Sequence, residues 1–269
     1  MNIDISVVVP ALNEEANINK TIEDLLNAFR KLKINGEIIV VNDGSTDGTK
    51  TIIKSFMDKY TNIRLINHKE PKGIGKAYWI GAKASRSKAL TWVPGDGEND
   101  AYEILRYIPL LDHVDIVVPY AYNKEIRGPF RNYLSKLYKG IINLSFGMIL
   151  NYMNGMVIFR RSILQDVKLN SSGFFFMTEL LIKTIKHGYL YAEVPYALKK
   201  RGAGDSKALS VNSLIKVIFG YTRMLLSVYF TKNSNKNIHP DSITYLRKSY
   251  GVAKDNSNYN IVKDQLESL

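Results

Sequence analysis

Through the first half of the chain, short runs of Val and Ile alternate with segments of helical spacing, and polar residues gather just after each run. The strand candidates are Ile5–Val9, Glu37–Val41, Ile63–Ile66, Ala89–Val93 and Asp115–Val118. Most are continuous apolar runs, the pattern of strands covered on both faces. Between the first two, Ile18, Ile22, Leu25, Leu26, Phe29 and Leu32 recur at helical spacing; Ile52, Ile53, Phe56, Met57 and Tyr60 do so after the second. This alternation means βαβ units, so the expected fold class is α/β, a mostly parallel sheet with helices on both faces. Ligands of such sheets lie beyond the carboxyl ends of the strands.

After Val118 the pattern loosens. Arg127–Leu150 reads as a long helical region interrupted by Gly140 and Gly147. Met156–Arg160 reads as a short strand, Glu179–His187 as a helix, and Tyr189–Val194 as a strand ended by Pro195. A loop at Lys199–Lys207 carries Lys199, Lys200 and Arg201, and Leu209–Phe230 is nearly all apolar. A polar tail follows, with weak helical patches at Ser242–Tyr250 and Ile261–Leu269. The expected division is a sheet domain over 1–208, an amphipathic helix over 209–232 and a tail over 233–269.

The 269 residues include 37 Lys and Arg against 25 Asp and Glu, a net charge of +12, which points to an anionic partner such as nucleic acid, phospholipid or a phosphorylated substrate. With 45% hydrophobic and 23% charged residues, wholesale disorder is excluded. Cysteine is absent, which excludes disulfides, zinc ribbons, iron–sulfur clusters and thiolate nucleophiles. No window reaches about 18 to 20 uninterrupted apolar residues, so no helix is expected to span a bilayer. The strand-like start Ile3–Val9, with Asp4 inside it, is not expected to be a secretory leader. His68, His113, His187 and His239 show no metal-ligand spacing and read as ordinary core or surface residues. No nucleic-acid recognition motif is visible, so nucleic acid is not the expected partner.

The first strand candidate ends in Pro10-Ala11-Leu12-Asn13-Glu14-Glu15, and the second in Asn42-Asp43-Gly44-Ser45-Thr46-Asp47-Gly48-Thr49. Asn42 and Asp43 fall at the ligand edge, where an amide and a carboxylate can bind a base or ribose; Asp47 reads as a capping residue. Lys72-Gly73-Ile74-Gly75-Lys76 precedes a helix expected over Ala77–Ser85 and forms a plausible anion site. It has neither P-loop spacing nor the third glycine of a dinucleotide fingerprint. The fourth strand candidate runs into Pro94-Gly95-Asp96-Gly97-Glu98. In extended conformation Asp96 and Glu98 point to the same side, offering two hard oxygen ligands to Mg²⁺ or Mn²⁺. Arg127 and Arg131 flank a Gly-Pro turn and offer planar forks for phosphate, whereas a solvated helix face explains Lys136 and Lys139.

Together these stretches resemble family 2 of the inverting glycosyltransferases with the GT-A fold, in its dolichol-phosphate mannose synthase and polyprenyl-phosphate sugar transferase branch. The resemblance is carried by Val7 to Glu14, Val41 to Thr49, Gly73 to Ala77 and Pro94 to Glu98. Downstream it is carried by Arg127, Arg131 and Ser135, by Asn154-Gly155 and Phe159-Arg160-Arg161, and by Glu193-Val194-Pro195 through Arg201 to Lys207. It covers about the first three-quarters of the chain. It implies that Pro10, Ala11, Asn13, Glu14, Asn42 and Asp43, with Lys76, hold a GDP- or UDP-sugar donor. Asp96 and Glu98 would hold the divalent metal on its diphosphate. Arg127, Arg131 and Ser135 would bind the phosphate of a lipid acceptor, and Arg201 and Lys207 would close over the donor. Three departures stand out: Asn42 where an aspartate is usual, Pro94 for the first acid of the Asp-Ala-Asp motif with Glu98 for a glutamine, and Asn151 and Asn154 in a segment that usually holds an aspartate.

The expected reaction is sugar transfer to a polyprenyl phosphate. A lipid phosphate is already ionised, and Arg127 and Arg131 would position it. A saccharide hydroxyl, the alternative acceptor, would need a base, for which Glu179 is the leading candidate. The alternative of another class is a nucleotide- or nucleic-acid-binding module without turnover. Lys216, Gly220, Arg223 and Ser227 form one stripe of an otherwise apolar helix, which fits either a core helix or a helix lying in a membrane interface. With the basic charge, the expectation is attachment to the inner face of the cell membrane, alone, as a homo-oligomer or with a membrane-protein partner.

Overall fold

The computed structural model of the protein describes residues 3–126, 128–165, 167–198, 211–230 and 237–253. Seven strands form one sheet: β1 (Ile5–Ala11), β2 (Gly36–Asp43), β3 (Ile63–His68), β4 (Ala89–Trp92), β5 (Ile116–Ala121), β6 (Ile158–Arg160) and β7 (Tyr191–Tyr196). Their order is β3-β2-β1-β4-β6-β5-β7. The pairs β1–β2, β2–β3, β1–β4 and β5–β7 are parallel, and β6 runs antiparallel between β4 and β5. The sheet is therefore mixed but mostly parallel. β1, β2 and β4 are buried at every position, as their unbroken apolar runs require when helices cover both faces.

The helices are α1 (Ile18–Leu32), α2 (Thr49–Met57), α3 (Ile74–Ala84), α4 (Ala101–Leu105), α5 (Pro129–Phe146), α6 (Phe176–His187), α7 (Val211–Phe230) and α8 (Ile243–Ala253). α1 buries Ile18, Ile22, Leu25 and Phe29, the same apolar series seen in the sequence. Several boundaries differ from expectation. α5 runs straight through the exposed Gly140 and ends at Gly147, whose left-handed φ of +56° stops a helix at little steric cost. α3 opens at Ile74 rather than Ala77. β7 continues through Pro195 to Tyr196, which its place at the sheet edge permits because proline has no N–H for an outer neighbour. The tail patch Ile261–Leu269 lies outside the described residues.

Beneath the carboxyl edge of the sheet, the rings of Tyr78, Trp92 and Phe176 form a cluster with centroids 5.0 to 6.5 Å apart, which ties α3 and α6 to β4. α8 is held from beneath by Asp115, fully buried ahead of β5. Its carboxylate accepts the amides of Ile243 (2.7 Å) and Thr244 (3.0 Å) and the Thr244 hydroxyl, with Arg160 Nε 3.5 Å away. The carboxylate thus caps the helix N-terminus, where the macrodipole favours negative charge. Asp115→Ala leaves these donors without their acceptor, and urea unfolding should show a loss of roughly 3–5 kcal/mol. Limited proteolysis should then cut first within 237–253; an unchanged urea midpoint would refute this account.

Candidate active site

The loops after β1 and β2 are laced together at the carboxyl edge of the sheet. Asn13, at a left-handed φ of +53°, accepts the Thr46 amide (2.9 Å) on its Oδ1, and its own amide donates to Ser45 Oγ (2.9 Å). The Glu14 amide donates to Thr49 Oγ1 (2.9 Å), and the Gly48 amide to Glu15 Oε2 (2.9 Å). Asp47 accepts from the Thr49 amide and hydroxyl and from the Glu15 amide, which makes it the cap expected from sequence. Burial pushes its carboxyl up, but the Thr49 and Glu15 donors outweigh this and hold it below its usual range. Pro10 and Ala11 are buried at the end of β1, paired with Val41 and Asn42. Asn42 donates from Nδ2 to Asn67 Oδ1 (2.7 Å) and accepts the Ser45 amide (3.3 Å).

Asp43 is buried, and its carboxylate is engaged by the protein itself. Oδ1 lies 2.7 Å from His68 Nδ1 and accepts the Lys72 amide (2.9 Å), while Oδ2 accepts the Gly73 amide (2.8 Å). These bonds fix the turn that opens α3. On the far side of that turn, the Gly75 amide donates to Ser172 O (2.8 Å). A Cβ at Gly75 would come within 2.5 Å of Ser171 O, so glycine is required there by the close approach of two backbones. Three amides of the expected anion site at Lys72 to Lys76 are therefore already engaged by the protein, those of Lys72 and Gly73 by Asp43 and that of Gly75 by Ser172. Lys76 stands exposed on the first turn of α3.

Glu179 completes this arrangement and is not placed as a base. It is 3% exposed, accepts the amides of Asn170 (3.0 Å) and Ser171 (2.8 Å), and pairs with Lys183. Burial pushes its carboxyl up, but Lys183, with the Ser171 and Asn170 donors, holds it below its ordinary value. A general base needs a proton-accepting oxygen turned toward substrate and a pKa near the working pH. Glu179 instead anchors the loop that Gly73 and Gly75 pack against.

Asp96 and Glu98 are half-buried on a turn rather than an extended segment. The chain reverses at Gly97, with φ +70°, and Asp96 Oδ1 accepts the Glu98 amide at 3.2 Å. The same-side argument from strand geometry therefore does not apply; the two acids lie on either side of a left-handed glycine in a tight turn. The Gly95 amide bonds to Pro10 O (3.2 Å), setting this turn against the end of β1. No group of three or more His, Cys, Asp or Glu among the described residues could hold a metal. The donor set nonetheless fits a hard divalent ion that takes its remaining ligands from substrate oxygens.

Beside the first turns of α5, Lys124, Glu125, Asn132, Ser135, Lys136, Lys139 and Asn151 line a cavity of about 280 Å³. Ser135 was expected at a phosphate site; Lys124, Lys136 and Lys139 were not. The i, i+3 spacing of Lys136 and Lys139 on α5 is that of a solvated face, and the approach of the Lys124 and Asn151 segments closes a pocket over it. Arg131 lies half-buried one turn before Ser135, while Arg127, Arg201 and Lys207 lie outside the described residues. Asn154 and Asn151 are structural. Asn154 Oδ1 accepts the Thr178 hydroxyl (2.7 Å), which also bonds the Tyr138 hydroxyl of α5 (2.7 Å), and Asn151 is tied to Glu193 by bonds of 2.6 and 3.0 Å. Because the Glu179 carboxyl is lower in the fold than its ordinary value near 4.5, its stabilisation is present above that pH and is lost as pH falls through the folded value. Glu179→Gln should lower stability at pH 7 by roughly 1–3 kcal/mol and flatten the acid limb of a Tm-against-pH curve. Turnover measured well below the Tm should persist, whereas a drop of about 100-fold or more would restore the base assignment.

Comparison with known proteins agrees with this architecture. The chain matches Glycosyl transferase family 2 over residues 6–168. It is 28% identical over 229 residues to a dolichol-phosphate mannosyltransferase of Pyrococcus furiosus, covering 81% of this chain and 62% of that one. It is 31% identical over 121 residues to a dolichyl-phosphate beta-glucosyltransferase of Dictyostelium discoideum, covering 42% of this chain and 37% of that one. The chain thus spans less than two thirds of either relative. In fold it is similar to glucosyl-3-phosphoglycerate synthase from Mycobacterium tuberculosis, solved with Mn²⁺, UDP-glucose and phosphoglyceric acid, with a TM-score of 0.65 at 20% identity over 82% of this chain and 79% of that one. The strand order, the laced loops at the carboxyl edge and a family match over more than half its length make this chain a member of glycosyl transferase family 2, with the GT-A fold.

Proposed function

We propose that the protein moves a sugar, with inversion, from a nucleotide sugar to a polyprenyl phosphate at the surface of a membrane. The observation that carries this reading is the cavity of Ser135, Lys124, Lys136 and Lys139 on the acceptor side. Three lysines and a hydroxyl suit an acceptor that arrives already anionic. A hydroxyl acceptor would instead need a base, and Glu179, the carboxylate expected for that role, is engaged in holding the fold. The dolichyl- and dolichol-phosphate transferases among the relatives support the same acceptor class.

In this reaction the bond between the anomeric carbon and the diphosphate oxygen breaks, and a bond to an acceptor phosphate oxygen forms on the opposite face. No proton has to be removed. Asp43, Asn42 and the loops after β1 and β2 hold the nucleoside. Asp96 and Glu98 would hold a divalent ion, Mg²⁺ or Mn²⁺, which would supply a Lewis acid toward the diphosphate. Arg131 and Ser135, with Arg127, hold the acceptor phosphate, and the lysines of the cavity add positive potential around it. Arg201 and Lys207 complete the donor site in this proposal. The complexes of the fold relative with Mn²⁺ and UDP-glucose support a metal and a uridine donor, and GDP-sugars remain the competing donors.

The membrane reading rests on α7. By length and composition alone, Ser213–Phe230 is long and apolar enough to cross a bilayer, although Lys216 and Arg223 interrupt its apolar run. The helix is docked along the protein, however. Tyr221 bonds Ser145 (2.8 Å) and stacks edge-on to Phe146, Tyr229 bonds Ser145 O, and Met224 is buried. Its outer face still carries Ile218, Phe219, Leu226 and Phe230, up to 81% exposed, with Lys216 and Arg223 along one flank. On α5, Tyr133, Leu137, Ile141 and Leu144 make a second exposed apolar stripe. Two apolar faces with flanking cations fit a surface lying in an anionic membrane interface, which supports attachment to the inner face of the cell membrane.

Incubation with UDP- and GDP-sugars and Mn²⁺ should release nucleoside diphosphate only when polyprenyl phosphate is present. Release with a saccharide acceptor instead would refute the proposal. Asp96→Ala should reduce turnover by at least roughly 100-fold while leaving the circular dichroism spectrum unchanged. The protein should float with anionic liposomes at low salt, and Phe219→Glu with Leu226→Glu should abolish flotation; an unchanged floated fraction would rule out α7 as the attachment.

A further inference from the structure

The register of β2 and β3 sets Asn42 opposite Asn67 and Asp43 opposite His68. The side chains of His68 and Asp43 are 5% and 4% exposed, with Nδ1 and Oδ1 2.7 Å apart. An ionised carboxylate can only accept, so the proton of this bond sits on Nδ1. The other ring nitrogen, Nε2, is buried and has no hydrogen-bond partner among the described residues. Buried polar atoms are nearly always paired. A side chain present only to fill this space would meet that rule better as a Phe or Leu, with no orphan nitrogen. What the imidazole supplies, and those residues cannot, is the bond to Asp43.

That bond bears on the donor site. A carboxylate offers about four lone-pair directions. At Asp43 three are taken, by His68 and by the amides of Lys72 and Gly73, which leaves one on Oδ2. The two amides belong to successive residues of one surface turn, and a carboxylate held by them alone moves when the turn moves. His68 projects from a paired strand and is the donor that ties Asp43 to the sheet. We infer that His68 is a positioning residue for the nucleotide-sugar donor, fixing the Asp43 carboxylate so that its remaining lone pair meets a hydroxyl of the bound nucleoside. This rests on the reading of Asp43 as a donor contact. Orientation set before the ligand arrives need not be imposed on binding, so its effect falls on donor affinity.

Calorimetric titration of the full chain with UDP and with GDP, in the presence of Mn²⁺, tests this. Asparagine carries its amide nitrogen near the position of Nδ1, and glutamine near that of Nε2. His68→Asn should therefore bind the preferred nucleotide within about twofold of wild type, whereas His68→Gln and His68→Ala should bind about tenfold more weakly, a difference of about 1.4 kcal/mol. In turnover assays the same ratio should appear in KM for the donor, with kcat changed by less than about twofold. Thermal melts of the Asn and Gln variants, both polar and close in size to histidine, separate loss of fold from loss of orientation. Wild-type affinity in His68→Gln, or equal losses of affinity and Tm in His68→Asn and His68→Gln, would overturn the inference while leaving the donor site standing. Failure of the wild type to bind either nucleotide would overturn the donor-site reading, and the inference with it.

Discussion

A carboxylate buried at the end of a central strand has to be given hydrogen-bond donors, and the way Asp43 obtains them organises the proposed donor side of the molecule. One donor comes from the neighbouring strand and two from the turn that opens α3. That turn is gripped from its other side as well, because Gly75 bonds the 171–172 loop and Glu179 holds the same loop by two amides. The first turn of α3 thus lies between two buried acids on different elements. Each acid costs desolvation and each is stabilised by its amides, Asp43 holding the 72–73 turn and Glu179 the 170–171 segment that packs against it.

This explains a division of labour among acids that look alike in sequence. Asp47, Asp115 and Glu179 cap or anchor, and their oxygens are turned inward to amides. Asp96 and Glu98 stand on a turn built on a left-handed glycine, half-buried and set against the end of β1. The first group is suited to holding shape, and the second to meeting a cation brought in with the substrate. A similar contrast separates the cations. Arg64 and Lys183 neutralise buried Glu37 and Glu179, while the lysines of α5 face a cavity.

Much of the architecture was legible from residue patterns. The first five strands, α1 and α2 follow from apolar runs and helical spacing, because burial on both faces of a sheet selects Val and Ile whatever lies further away. Boundaries failed where a local rule met a tertiary exception. Pro195 continues a strand because that strand is at the edge, and Gly140 does not break α5. At the proposed site, residue type and a place after strands are what single out the loops after β1 and β2 and the acidic turn. The lysines of α5 read from sequence as a solvated face, and Lys136 is indeed exposed; the segments that make a cavity beside them come from elsewhere in the chain. His68 was passed over because a lone histidine without ligand spacing has no signal of its own; its partner is 25 residues earlier, on another strand.

Periodicity and residue chemistry in the chain were enough to establish the α/β class and to direct the proposed site, and the kinds of groups in it, to the carboxyl edge of the sheet. They could not say which of those groups are already occupied. Whether Glu179 is a base or an anchor, whether Gly73 to Lys76 forms an anion cradle or a packing surface, and whether Lys136 faces water or a cavity all depend on which donors and acceptors arrive from distant segments. A hydrogen-bonding group has few lone pairs and protons, and only the folded arrangement decides which of them the protein takes for itself and which it leaves for a ligand.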